Sequence, residues 1–95
     1  MALETVFSSS AKVTFSAITL FVRNQWGLKS AENFVAKTYD KIDLISNNPY
    51  IYRALGKDPD VRIAFITPQC SLVYKIHPTH IYLLYFWDNR QLPIT

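Results

Sequence analysis

Two histidines, His77 and His80, are the residues whose type and spacing most directly suggest acid-base chemistry. Histidine titrates near neutral pH in its ordinary state, so one imidazole can take a proton while another gives one. The pair flanks a Pro-Thr turn, and we expect the two rings to meet across it. Solvated turn histidines are the favoured alternative. Metal binding is weaker still, because no carboxylate neighbours the pair.

The segment from Tyr50 to Asp60 combines aromatic and basic side chains. Such a mixture can stack on bases and contact phosphates, as in proteins that bind single strands. It makes three residues candidates for target or nucleic-acid binding, namely Tyr52, Arg53 and Lys57. The favoured alternative is a mobile loop whose tyrosines cover the ends of helices.

Composition limits the classes of protein that these residues can serve. A chain of 95 residues, 49% hydrophobic and 15% aromatic, is predicted to form one domain over 1–95 with a compact core. Its two glycines cannot build a glycine-rich phosphate loop, so no nucleotide cofactor is expected. The single Cys70 excludes an internal disulfide and a cysteine-built zinc site. The net charge of +3 permits an RNA, DNA or acidic protein partner without requiring one.

The first residues carry Glu4 where a secretion signal needs positive charge, and no apolar stretch reaches the length of a membrane span. We therefore expect a soluble, cytoplasmic protein that does not contact membranes.

Helix signals dominate the first half of the chain. A short strand around Val6 should end at the serine run, which favours a helix N-terminus. Apolar residues then recur every three or four positions, the pattern of one buried helix face, at Ala11, Phe15, Ile18, Phe21, Val22 and Trp26. Gly27 should end this helix, and a second amphipathic helix is predicted from about Lys29 to Ser46. A link this short predicts an antiparallel helical hairpin.

Strand signals dominate the second half. Three stretches rich in β-branched and aromatic residues lie between turn residues, at Val61 to Ile66, Cys70 to Ile76 and Ile81 to Trp87. They predict an antiparallel meander whose last strand is central, with both faces covered. The fold class is α+β, in the order β-α-α-β-β-β, with a helical hairpin packed on a small, mainly antiparallel sheet.

This order and its spacings resemble the RelE/ParE toxins of bacterial type II toxin-antitoxin systems, in particular the ParE-like and plasmid-stabilisation branch. The resemblance covers nearly the whole chain. It is carried by the helix residues above, then Ala31 and Phe34, Asn48-Pro49, Val61-Arg62, Leu72-Val73-Tyr74 and the closing Phe86-Trp87-Asp88-Asn89-Arg90-Gln91-Leu92-Pro93.

The resemblance implies a small toxin that an antitoxin keeps inactive. In RelE-like members a cluster of Lys, Arg and Tyr cleaves messenger RNA on the ribosome. Arg62 and Arg90 match two basic positions of that cluster, and Tyr74 is its strand tyrosine. Both arginines suit bidentate contacts to phosphate. Their alternative is a structural role, bonding carbonyls or pairing with Asp60 and Asp88, and Tyr74 is more readily explained by core packing.

Other positions of the cluster are lost. Ala64 stands where the family has a second lysine, Ser71 where it has an arginine, and the C-terminal tyrosine would fall just beyond Thr95. Because of these losses, ParE-like inhibition of DNA gyrase by binding is the favoured function, without enzymatic activity. The alternatives are a metal-independent, ribosome-dependent mRNA endonuclease, and a degenerate toxin that acts only as an antitoxin-binding corepressor.

The expected partners follow from these functions. They are a cognate antitoxin, covering an apolar groove between hairpin and meander, and either gyrase or the ribosome with its mRNA. A homodimer or a heterotetramer with the antitoxin is compatible with the same resemblance.

Overall fold

The computed structural model describes residues 2–90. Six elements follow one another along the chain: β1 (Glu4–Phe7), α1 (Ser9–Trp26), α2 (Leu28–Asn47), β2 (Val61–Thr67), β3 (Cys70–Ile76) and β4 (His80–Asp88). The predicted α+β class and element order are confirmed. The closing Gln91-Leu92-Pro93 of the family resemblance lies outside the described residues.

The helical hairpin begins and turns at the residues that the sequence indicates. The Ser8 hydroxyl oxygen accepts a hydrogen bond from the Ala11 amide at 2.9 Å, which caps α1. Gly27 alone separates the two helices and has a φ of +94°, a conformation that side chains disfavour. Neither helix, over the described part of the chain, has an 18-residue stretch apolar enough to cross a membrane.

Ser8 also joins the hairpin to the sheet, since its hydroxyl donates to the Leu84 carbonyl at 2.6 Å. We expect Ser8→Ala to lower the free energy of unfolding by about 1–2 kcal/mol, because the cap and the carbonyl both lose a partner. Urea denaturation of the variant measures this loss. Ser9→Ala, at an exposed neighbouring position, is the control and should change stability by less than about 0.5 kcal/mol. Equal effects of the two substitutions would contradict the assignment.

The sheet has the strand order β1-β4-β3-β2, with β1 parallel to β4 and the remaining pairs antiparallel. β4 is therefore central, as predicted. The prediction that both faces of β4 are covered was wrong. Ile81 and Leu83 are fully buried, but Tyr82 between them is 37% exposed. The hairpin covers only one face of the sheet, and the residues described here leave the other face partly open.

The core lies between that face and the hairpin. Phe15 of α1 contacts four other rings, those of Phe7, Phe34, Tyr39 and Phe86, with centroids 4.9–6.3 Å apart. Trp26 was predicted on the same buried face, but it is 57% exposed because it lies in the last turn, at the tip of the hairpin. In α2 the sequence pattern missed Thr38, which is fully buried and donates to the Phe34 carbonyl at 2.8 Å.

Candidate functional site

A groove of about 470 Å³ opens beneath the tip of the hairpin, where α1 and α2 extend past the turn between β2 and β3. We call it the tip groove. This volume falls in the range of ligand and peptide-anchor sites. Its lining combines apolar side chains and Cys70 with two hydroxyls, two amides and three charged groups. The apolar residues are Ile18, Phe21, Val22, Trp26 and Phe34, and the polar ones are Ser30, Asn33, Lys37, Thr67, Gln69, Asp88 and Arg90.

Arg90 forms one wall of the tip groove. Its Nε donates to Asp88 Oδ1 at 2.8 Å, a second guanidinium nitrogen bonds Oδ2, and the guanidinium carbon lies 3.8 Å from the centre of the Phe21 ring. The hydrogen bond from Arg90 is the main cause that lowers the pKa of Asp88. Arg90 thus pairs with Asp88, as expected if its role is structural rather than phosphate binding. Of its side chain, 39% stays exposed.

Cys70 lies on the floor of the groove and is 1% exposed. Burial raises the pKa of its thiol to about 12. The thiol therefore stays protonated near neutral pH and contributes packing rather than a nucleophile.

Arg62 has a different environment, at the start of β2. Its Nε donates to the Pro59 carbonyl at 2.8 Å and one terminal nitrogen donates to the Tyr52 carbonyl at 2.9 Å. Its guanidinium carbon lies 4.9 Å from the centre of the Tyr50 ring, whose hydroxyl donates to Asp60. Arg62 therefore ties the segment between α2 and β2 to the sheet.

The structure does not bring Arg62 and Arg90 together. Arg62 pairs with Tyr74 in the β2–β3 register, whereas Cys70 pairs with Asp88 in the β3–β4 register. The four residues from Cys70 to Tyr74 correspond to about 13 Å along the sheet, at roughly 3.3 Å per residue. No single phosphate can contact both arginines as they stand.

The lost cluster positions also fall on different faces. Arg62, Ala64 and Tyr74 share the face toward the helices, because Arg62 pairs with Tyr74 and Ala64 with Leu72. Ser71 is three residues from Tyr74 along β3 and so points to the other face, where its hydroxyl donates to Asn89. Comparing residue spacings in this sequence with those of the RelE-like cluster could not show that these positions lie on different faces of the sheet.

Tyr74 is fully buried, and its hydroxyl donates to the Pro49 carbonyl at 2.8 Å. Burial raises the pKa of this phenol. These contacts favour core packing over catalysis. Tyr74→Phe should cost about 1–3 kcal/mol of unfolding free energy, because the Pro49 carbonyl loses its partner without a cavity being formed. Thermal denaturation tests this, with exposed Tyr39→Phe as the matched control; an unchanged melting temperature for Tyr74→Phe would contradict it.

The basic, aromatic segment lies along the outer edge of β2. The Arg53 carbonyl accepts a hydrogen bond from the Ile63 amide, and Ala54 forms a bridge with Arg62. The Tyr52 hydroxyl accepts from Lys41 at 3.2 Å, and Lys57 is exposed. The three candidate binding residues are thus on one connection, at a distance along the chain from the tip groove, and their role in binding stays a prediction.

The two histidines do meet across their turn. Their rings stack with centroids 4.9 Å apart and planes 5° from parallel, and both planes are perpendicular to the Tyr82 ring, with centroids 4.5–4.9 Å from it. Nε2 of His80 is buried and has no hydrogen-bond partner among the described residues. This turn joins β3 to β4, at the opposite end of β4 from Arg90, so the pair does not belong to the tip groove.

Sequence reasoning predicted an apolar groove between the hairpin and the meander, but it missed several of the residues that line the tip groove. Lys37 and Gln69 were not singled out, and Trp26 was assigned to the core. One signal could have corrected the assignment of Trp26. Trp26 directly precedes the glycine that ends α1, so it lies in the last helical turn, where a side chain is less readily covered by the rest of the fold. No three or more His, Cys, Asp or Glu side chains within residues 2–90 are grouped so that they could hold a metal ion.

No protein-family model and no curated protein matches the sequence. Solved structures do match it over nearly its whole length. A chain of the chromosomal ParDE TA system from P. aeruginosa gives a TM-score of 0.76 at 13% identity, covering 92% of this chain and 96% of that chain. A chain of the E. coli DinJ-YafQ toxin-antitoxin complex gives 0.67 at 15% identity, covering 97% and 98%.

The YoeB dimer from Staphylococcus aureus is a third match, with a TM-score of 0.63 at 16% identity, covering 90% of this chain and 94% of that one. At these identities the likeness is one of fold. It agrees with the order and spacings by which the sequence resembles this group. The chain has the fold of the RelE/ParE superfamily of type II toxins.

Proposed function

We propose that this chain is the toxin of a type II toxin-antitoxin system and inhibits growth when its antitoxin is absent. The fold supports this proposal, since two of the matching structures are described as toxin-antitoxin assemblies. The observation that carries it is the tip groove, which combines an apolar lining with an amino group at Lys37. A small domain that exposes such a groove is suited to binding a protein segment.

The antitoxin is the proposed occupant of the tip groove. A helical or extended segment would place an apolar side chain between Phe21 and Phe34 and a carboxylate near Lys37. The proposal places the pair in the cytoplasm, where both candidate targets are found.

Gyrase inhibition by binding is the favoured activity. RNA cleavage without a metal needs a base, an acid and cations around one phosphate. Arg62 and Arg90 are well separated along the sheet, each with its own partners, and the Tyr74 hydroxyl is bonded to a backbone carbonyl. This arrangement supports a binding protein over a nuclease.

Ribosome-dependent cleavage of mRNA is the alternative. The observation in its favour is the stacked histidine pair beside Tyr82, because an imidazole is the side chain that most often serves as a general acid or base. A degenerate toxin that binds only its antitoxin, and with it represses their operon, is the third possibility.

Expression of the chain from a tightly controlled promoter separates the three. We expect growth arrest, loss of supercoiling by purified gyrase and accumulation of gyrase-linked DNA breaks. Codon-positioned cuts in a message on purified ribosomes, abolished by Arg90→Ala, would instead establish the nuclease. Absence of any effect on growth, gyrase or message would leave antitoxin binding alone.

Co-expression with the product of the adjoining gene tests the partner. We expect a stable complex that protects Trp26 from solvent. The protection is measured as weaker quenching of tryptophan fluorescence by a quencher added to the solution. Failure of that product to bind, with the chain soluble and harmless alone, would refute the toxin-antitoxin assignment.

A further inference from the structure

The polar wall of the tip groove is built from two segments that are distant along the chain. Thr67 and Gln69 come from the turn between β2 and β3, whereas Asp88 and Arg90 come from the end of β4. The register between β3 and β4 ends with the pair of Cys70 and Asp88. Arg90 lies beyond that pair, so the strand pairing of the sheet does not fix its position.

Asn89 connects the two segments. Its backbone amide donates to the Gln69 carbonyl at 2.7 Å, and its side-chain nitrogen donates to the Pro68 carbonyl at 3.4 Å. Its side-chain oxygen accepts a hydrogen bond from the Ser71 hydroxyl at 3.0 Å. One residue thus bonds three positions of the facing segment, at the end of the sheet that carries the groove.

The bond between Ser71 and Asn89 lies behind the polar wall. Neither residue lines the tip groove, and Ser71 points to the face of the sheet opposite the helices. Ser71 is fully buried, and within residues 2–90 its hydroxyl has Asn89 as its hydrogen-bond partner. Because a buried hydroxyl without a partner is costly, this bond should persist in solution.

The next residue, Arg90, has a constrained guanidinium. It bonds both carboxylate oxygens of Asp88, and its carbon lies 3.8 Å from the centre of the Phe21 ring. One of its terminal nitrogens has no hydrogen-bond partner within residues 2–90. Since Asp88 and Arg90 together are neutral, this nitrogen suits an uncharged acceptor such as a backbone carbonyl. Lys37, which has no ion pair in the same range, remains for a carboxylate.

We propose that Asn89 is a positioning residue of the tip groove. It holds Arg90 over Phe21, where the free guanidinium nitrogen bonds a backbone carbonyl of the antitoxin segment. The inference rests on the proposed function for the identity of that segment. Because carbonyls inside a helix are already bonded, the segment is extended where it passes Arg90. A wall that is held before binding loses less conformational entropy when the segment arrives, which raises the affinity.

NMR spectroscopy of the free chain tests whether Asn89 holds Arg90. The Hε proton of Arg90 is bonded to Asp88 beside the Phe21 ring, so its resonance should differ from that of the exposed Arg23. The resonance is assigned by its absence from the spectrum of Arg90→Lys. We expect Asn89→Ala to move it toward the position of Arg23, because the guanidinium is then no longer kept over the ring.

Ser71→Ala and Ser46→Ala separate positioning from stability. Each removes the hydroxyl of a buried serine, but the Ser46 hydroxyl donates to the Leu3 carbonyl at 2.6 Å, outside the tip groove. Both variants should lower the melting temperature, whereas only Ser71→Ala should move the Arg90 resonance. A resonance that neither Ser71→Ala nor Asn89→Ala moves, or that Ser46→Ala moves as far, would overturn the proposal.

Titration calorimetry with the purified product of the adjoining gene tests the consequence for recognition. Asn89→Ala should weaken binding about tenfold, and Ser46→Ala should leave it within about threefold of the original. A moved Arg90 resonance with unchanged affinity would overturn the role of Asn89 in recognition. If the product does not bind the unsubstituted chain, the proposed function fails, but the NMR comparison on the free chain still decides whether Asn89 holds Arg90.

Discussion

Phe86→Ala is expected to lower the free energy of unfolding by about 3–5 kcal/mol. Phe86 is 2% exposed, and its ring lies 4.9 Å from that of Phe15 and 6.2 Å from that of Phe7. It therefore joins the central strand to α1 and to β1 at once. Alanine removes the shared ring and leaves a cavity that three elements cannot close together.

Chemical denaturation followed by circular dichroism measures this effect. The backbone contact at the same position, from the Phe86 amide to the Thr14 hydroxyl, is retained by the variant, so the loss reports the side chain. Phe65→Ala is the matched control, because Phe65 is 64% exposed in β2. It should cost less than about 1 kcal/mol. If Phe86→Ala cost no more than its control, the packing of α1 on β4 described above would be wrong.

Trp26→Ala is expected to weaken antitoxin binding by about 30-fold or more, equivalent to about 2 kcal/mol, while leaving stability nearly unchanged. Trp26 lines the tip groove, is 57% exposed, and meets the Phe21 ring edge-on at 5.9 Å. A tryptophan held by one neighbour and open to solvent on its other sides has the properties of an interface anchor.

Titration calorimetry with the purified antitoxin gives the affinity, and Phe65→Ala again serves as control because that exposed ring does not line the groove. Equal losses for both variants would remove the tip groove as the binding site, even if the complex itself forms. Loss of binding together with a lowered melting temperature would show that Trp26 acts on the fold instead.

Local signals in the sequence were sufficient to predict the elements of this fold. The helix cap at Ser8 follows from a capping hydroxyl, and the turn at Gly27 follows from a backbone with positive φ. Neither the cap nor the turn depends on distant residues, although the Ser8 bond to Leu84 does. The central place of β4 also followed from its continuous apolar character. These features are encoded within a few residues of where they act, so they can be predicted from hydrophobic patterns and residue propensities.

The candidate site depends on long-range placement and was less accessible. Whether Arg62 points toward the helices is decided by its register with Tyr74, and a shift of one residue would reverse it. Trp26 has the period of a core residue, yet it is the last residue of α1 and is 57% exposed. The position of Arg90 over Phe21 joins residues far apart along the chain. No local pattern contains this information.

The pairing of the first strand with the last has a consequence for synthesis. Among the strands within residues 2–90, β1 pairs with β4 alone, and Ser8 bonds Leu84, which lies 76 residues later. While the ribosome is still translating the region between them, β1 has no strand to join and the sheet cannot close. The emerging polypeptide can form its two helices early, but the groove that needs Asp88 and Arg90 is assembled only after residue 90 has been added. The proposed occupant of the groove can therefore be supplied during this interval of translation, before its binding site exists.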